Sequence, residues 1–168
     1  MYRVAKTSIL LRKKVARKEG TPMHMDAHEV ETLNQLLEGQ YMGIHTYEHY
    51  LKHLAEDSSL HETMSHIHDD LENHASLLAT RIRDLDGVPV KNEGPFGTVQ
   101  RWMSEVFDHP HGEQDILKHA IKGENIYGIR MSEKIARHGL DEESLAVVHR
   151  IIDEQREHVD TLKSKLHH

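Results

Sequence analysis

The chain contains no cysteine, which excludes a disulfide framework, a thiolate zinc or iron–sulfur centre and a cysteine nucleophile. Any metal must be held by His, Asp or Glu. Aromatic residues are scarce, with two Phe and one Trp in 168 residues, while Leu, Glu, Lys, Ala and Met fill long periodic stretches. That combination disfavours strands and predicts an all-α fold. No apolar run approaches the roughly 20 residues needed to cross a bilayer. The N-terminus also lacks the apolar core and small-residue cleavage site of a secretory signal, so the body is expected to be cytoplasmic. Gly-rich phosphate loops, a nucleophile elbow and basic–aromatic patches for nucleic acid are all missing from the sequence.

What the sequence does have is charge, unevenly placed. The formal net charge is −7, yet Arg3, Lys6, Arg12, Lys13, Lys14, Arg17 and Lys18 are opposed only by Glu19 in the first 20 residues. The remainder is therefore acidic, and nucleic acid is not an expected partner for it. Residues 1–25 read as a basic N-terminal extension, either loosely ordered or an amphipathic helix suited to a membrane surface or an acidic partner. Residues 26–168 read as one domain, long enough to bury a core.

Within that domain apolar residues recur at helical spacing over about 26–55, 58–86, 113–139 and 141–166, which predicts four long helices. Glu56-Asp57-Ser58-Ser59 supplies caps between the first two, and Gly139-Leu140-Asp141 supplies a stop and a new cap between the last two. These are short antiparallel hairpin connections. Between the hairpins runs a long crossover, with one short helix expected at about 96–107 to cap an end of the bundle. At an offset of 84 residues the hairpins match weakly, pairing Leu33 with Leu117, Asp57 with Asp141, Asp69 with Asp153 and His74 with His158. An internal duplication and a pseudo-twofold axis are the expectation.

Each inward stripe has a polar interruption: Gln40 in the first helix, His74 in the second, Glu124 in the third, and Gln155 and His158 in the fourth. Gln40 and His74 each stand 17 residues from Asp57, and Glu124 and His158 stand 17 from Asp141, so equal rise puts each pair at one height. Asp70 and Glu154 lie four residues before His74 and His158, where they can face one ion or the histidine itself. A buried polar layer must be compensated. A closed hydrogen-bond network would do so, and so would an iron, manganese or zinc ion on oxygen and nitrogen donors. The other histidines fall mostly on polar faces; His45, Glu48, His49, His66, His68 and Asp69 could gather an adventitious divalent ion. Gly39, Gly43, Gly123 and Gly128 interrupt the helices and call for a close helix approach or a cavity.

The segments LNQLLEGQYMGIHTYEHYLKHL, HDDLENHASLLATRIRDLDGVPV, DILKHAIKGENIYGIRMSEKI and IIDEQREHVDTL resemble an uncharacterised bacterial family of the ferritin-like superfamily, over about residues 26–166. The resemblance implies an antiparallel four-helix bundle of two hairpins. In the wider superfamily, which includes ferritins and rubrerythrins, it implies a carboxylate-bridged di-iron site, with Glu from two helices and Glu-x-x-His from the other two. His74 and His158 match the two histidines, but Leu71 and Gln155 stand three residues before them. Glu38 matches the first-helix ligand; its counterpart is Lys122, with Glu124 two positions on. The implied site is therefore remodelled. Its expected ligands are His74, His158, Glu124, Asp70 and Glu154, with Glu38 as a further carboxylate and Gln40 as an outer donor, around one or two iron or manganese ions. The expected role is metal handling or oxidative-stress protection. Catalysis is left open; as an enzyme the chain would oxidise bound metal with oxygen or peroxide. The competing expectation is a non-catalytic helical scaffold whose polar layer is structural. The sequence is compatible with a homodimer.

Overall fold

Periodicity becomes four helical rods in the computed structural model, which describes residues 23–92, 94, 112–137 and 139–166. Helix α1 spans Met23–His53 and α2 spans Ser59–Asp84. The third rod is composite: α3, Glu113–Gly123, continues into a π-helical segment π1, Glu124–Arg130, and then α4, Met131–Ile135. Helix α5 spans Glu142–Lys165. Of the basic extension expected at 1–25, residues 1–22 lie outside the described residues, as does the short helix expected at 96–107, and residues 23–25 already belong to α1.

The predicted caps form. Ser58, in extended conformation, accepts a hydrogen bond from the Leu60 amide at 3.1 Å and opens α2. Gly139, at φ 79°, follows the third rod, and Asp141 accepts from the Ser144 amide at 2.8 Å to open α5. Such caps contribute about 1 kcal/mol each. The rods close on one another: α1 packs on α2, α2 on α5, α5 on the third rod, and π1 and α4 back on α1. Leu33, Leu37, Met64, Leu78, Ile82, Ile116, Leu117, Val148 and Leu162 are fully buried between them.

Regular α-helical spacing from Ile116, Ala120 and Glu124 would carry the inward face of the third rod on to Met131 and Ile135, and the rod departs from it beyond its midpoint. Met131 is 40% exposed and Ile135 only partly buried, whereas Ser132 and Ala136 are buried. The π segment explains the slip, because an i→i+5 turn inserts one residue and moves the inward face on by one position. At the bundle's end, Arg81 ties α2 to the start of α5. Its guanidinium donates to Ser144 Oγ at 2.8 Å, Glu143 at 2.8 Å and Asp141 at 2.6 Å. Among the glycines, Gly43 meets the expectation of close helix approach: a Cβ there would lie 3.2 Å from Leu71 Cδ1.

Candidate functional site

The polar interruptions of the four stripes are buried at mid-bundle. His74 is 0% exposed, Gln155 2%, Gln40 3%, Glu124 5% and His158 6%. His74 and His158 are the only buried histidines among the described residues.

Each histidine is held by a carboxylate from the opposite helix. His74 Nε2 lies 2.7 Å from Glu154 Oε2, and His158 Nε2 lies 3.1 Å from Asp70 Oδ2. The arrangement is reciprocal, since α2 supplies His74 and Asp70 and α5 supplies His158 and Glu154. The rings stack at an interplanar angle of 25° with centroids 6.1 Å apart. Burial lowers the pKa of His74, opposed in part by Glu154, and lowers that of His158, opposed in part by Asp70. Both rings are thus neutral near pH 7. A neutral ring facing a carboxylate through Nε2 carries its proton there, which leaves Nδ1 as a bare lone pair. This is the relation in which a carboxylate orients a metal-ligating imidazole.

Glu154 is steadied in turn by Arg150, whose Nε donates to Oε1 at 2.8 Å. Its pKa is pushed up by partial burial, but Arg150 and His74 outweigh that and hold it below the usual carboxylate value. An open groove of about 720 Å³ between α2 and α5 is lined by Asp70, Glu154, Glu157 and His158, so solvent reaches the outer side of these pairs.

Glu124, on the inner side, behaves differently. Its Oε1 accepts the Tyr47 hydroxyl at 2.9 Å, while Oε2 has no partner and lies 4.0 Å from His158 Nδ1. Burial raises its pKa to about 7 against the lowering effect of the Tyr47 bond. Beside it is a cavity of about 40 Å³ lined by Tyr47, Tyr50, Leu71, Glu124, Tyr127 and Gln155, space for about one or two waters. The backbone here is the π segment, and Gly128 is essential to the space. A Cβ at Gly128 would lie 3.0 Å from Glu124 Oε2 and 3.1 Å from Gln155 Nε2.

Five buried atoms of this layer lack hydrogen-bond partners among the described residues: Nδ1 of His74, Nδ1 of His158, Oε2 of Glu124, and Oε1 of Gln155 and of Gln40. With Glu124 ionised all five are acceptors, while the buried Tyr50 hydroxyl, which lines the same cavity and is likewise unpartnered, is a donor. Leaving each unpaired costs about 1–3 kcal/mol, and the species that answers a ring of acceptors is a cation or a donating water. The donor set fits a transition-metal ion held by nitrogen and oxygen. It does not fit a pair of ions bridged by carboxylates, because Glu124 is the only buried carboxylate in the layer.

The residues expected from the sequence thus take different places. His74, His158 and Glu124 face the centre, and Gln40 is buried with an orphaned oxygen. Asp70 and Glu154 sit behind the histidines. Glu38 is turned toward the crossover, where a Cβ at Gly94 would lie 3.0 Å from its Oε1. Gln155, read from the sequence only as a network member, lines the cavity. Its spacing of three residues before His158 was the available signal. Among the described residues, the His, Asp and Glu side chains whose ligand atoms all lie within 4.8 Å of one another are His68, Asp69 and Glu72. This is a surface group on α2, with His68 Nε2 also 3.9 Å from Glu48. The core set is more open, and His74 does not join Glu124 and His158 at that spacing.

No helix among the described residues is long and apolar enough to cross a membrane. The fold is similar to that of a solved structure described as ferritin-like, diiron-carboxylate proteins from Bacillus anthracis str. Ames, with a TM-score of 0.64 and 21% sequence identity. The likeness covers 85% of this chain and 98% of the other, and it establishes a ferritin-like fold. No curated protein matches the chain. Residues 28–138 match the family described as a domain of unknown function (DUF2383), and since they make up more than half of the chain, the protein belongs to that family.

Proposed function

We propose that the protein binds a transition metal in the centre of its bundle and serves metal handling, with iron as the leading candidate. The observation that carries this reading is the set of unpartnered acceptors in the layer, most of whose neighbouring donors are bonded elsewhere, with the buried Tyr50 hydroxyl left unpartnered beside them. The Nε2 protons of His74 and His158 go to Glu154 and Asp70, and the Tyr47 hydroxyl goes to Glu124 Oε1. A bound ion would answer the remaining lone pairs of His158 and Glu124, with His74, Gln40 and Gln155 in the same layer, and when bound it supplies Lewis acidity and, for iron, a redox couple. The di-iron carboxylate description of the Bacillus anthracis structure favours iron over zinc by analogy of fold. The acidic groove beside Asp70 and Glu154 suits the approach of a cation.

The test is metal analysis of full-length protein purified without an affinity metal column, beside the His74→Ala/His158→Ala double variant. The expected result is near-stoichiometric metal in the wild type, lost in the variant while its helical circular dichroism persists. A wild type that emerges metal-free and stays so after anaerobic exposure to Fe(II), Mn(II) and Zn(II) would sink the reading and leave a scaffold with a wet polar layer.

A further inference from the structure

The pseudo-twofold symmetry of the outer shell is not matched by the inner one. Around His158 stand Glu124, whose Oε2 lies 4.0 Å from its Nδ1, and Gln155, three residues earlier on the same helix, whose amide nitrogen faces the same point beside Gly128 as Glu124 Oε2 and whose unpartnered Oε1 would come there by a half-turn of the amide. A separation of 4.0 Å is close to twice the roughly 2.1 Å of a metal–nitrogen or metal–oxygen bond. Gly128 keeps both Glu124 and Gln155 free of a crowding Cβ. Around His74 the same positions offer less, since Gln40 supplies only an unpartnered amide oxygen. The residue three before it is Leu71, which is 2% exposed and packs toward Gly43. In the other hairpin, the residue level with its histidine is Glu124; in this one it is Gln40, a neutral amide.

Charge makes the same distinction. One inward carboxylate offsets half the charge of a divalent ion, with Asp70 and Glu154 assisting from the second layer. Two divalent ions sharing one inward carboxylate would leave a large uncompensated charge in a buried centre, where desolvation costs several kcal/mol per ion. Leu71 offers nothing to a second ion, and its methyl groups take the volume a bridging carboxylate would need.

We infer that the centre holds one metal ion rather than two, on the Glu124–His158 side with Gln155 as third protein ligand, and that Leu71 closes the half beside His74. This rests on the metal-binding reading above and goes beyond it in number, position and ligand. His74 becomes a neighbour of the ion, not a principal ligand.

The experiment is an anaerobic titration of metal-free, full-length protein with Co(II), followed by its visible absorption and by metal content after gel filtration. It is done in a His68→Ala background to remove the surface group. One ion per chain is expected. His158→Ala and Gln155→Ala should weaken its binding by roughly 100-fold and at least tenfold, whereas His74→Ala should change it by less than about tenfold. Leu71→Glu should admit a second ion. Two ions in the unmodified core, or equal losses in His74→Ala and His158→Ala, would overturn the inference while leaving a metal-binding protein. No ion at all would overturn the reading beneath it. If Leu71→Glu fails to fold, the paired histidine variants still decide the ion's position; if it folds and still takes one ion, Leu71 is not what closes that half.

Discussion

Replacing Glu124 by Gln separates the cost of the layer from its use. Burial holds the Glu124 carboxyl at about 7, against an ordinary value of 4.5. A group whose pKa is raised on folding favours the folded state when protonated, and that contribution fades as pH rises from the unfolded value through the folded one. At pH 8 the folded protein must keep the carboxylate ionised, at a cost on the order of 3 kcal/mol by the free-energy equivalent of the shift. Gln keeps the shape, and its carbonyl can accept the Tyr47 hydroxyl, so the variant loses the charge without opening a cavity. Metal-free E124Q is therefore expected to be more stable than metal-free wild type by about 3 kcal/mol at pH 8, or about 6–12 °C in Tm for a chain of this size. The advantage should shrink below about 1 kcal/mol at pH 5, where the folded wild type is protonated. The buried histidines, whose pKa values are lowered, destabilise both proteins below about pH 6.5 and cancel in the comparison. With metal present the order should reverse, because only the wild type gains binding energy. The assay is thermal and urea unfolding from pH 5 to 8.5, with chelator and with added metal. An E124Q variant no more stable than wild type at pH 8 without metal would refute the argument that this carboxylate is strained by burial and awaits a cation.

Two glycine substitutions should behave oppositely. Gly128→Ala would set a methyl 3.0 Å from Glu124 Oε2 and should weaken metal binding by about tenfold or more, read by competition with a chelating dye. Gly39→Ala meets nothing within 4 Å and should stabilise the chain by up to about 1 kcal/mol in urea unfolding, with binding unchanged. At the bundle's end, Arg81→Met should destabilise by about 2 kcal/mol at pH 7, discounted from a buried pair because Asp141 and Glu143 are half or more exposed. Partial burial raises the Asp141 pKa, but bonds from the Ser144 amide and Arg81 outweigh it, so the value is lowered. The stability this contributes is present at neutral pH and lost as pH falls through the folded value, below 3.8. The deficit of Arg81→Met should accordingly narrow toward pH 3.

The helices, their caps and the buried layer were legible because each follows from spacing along one helix: Ser58 and Asp141 at the breaks, and His74, Glu124 and His158 in otherwise apolar stripes. Two things were not. The π segment at Glu124–Arg130 moves the inward face on by one residue, so Met131, seven residues after Glu124 and inside by regular α-helical spacing, is 40% exposed. The partners of the histidines were also hidden. A spacing of four places Asp70 beside His74 and Glu154 beside His158 within one helix, yet the bonds run across the bundle, Asp70 to His158 and Glu154 to His74. Local spacing names neighbours; only packing of α2 against α5 decides which neighbour a ring turns to.

That crossing also bears on the scaffold reading. A polar layer kept only for register would be expected to satisfy itself, as donors and acceptors of adjacent helices close on one another. Here the histidine protons are spent outward on Asp70 and Glu154 and the Tyr47 hydroxyl on one oxygen of Glu124, and what remains beside the small cavity is chiefly lone pairs, with the Tyr50 hydroxyl among them. Water can fill such a space, but it would leave a buried carboxylate held near pH 7 by desolvation alone. A cation relieves the same group, draws its pKa down and binds the lone pairs that the outer carboxylates have oriented. The direction in which the histidine hydrogen bonds point, more than the presence of histidines, is what favours the proposed metal centre over a register device in this bundle.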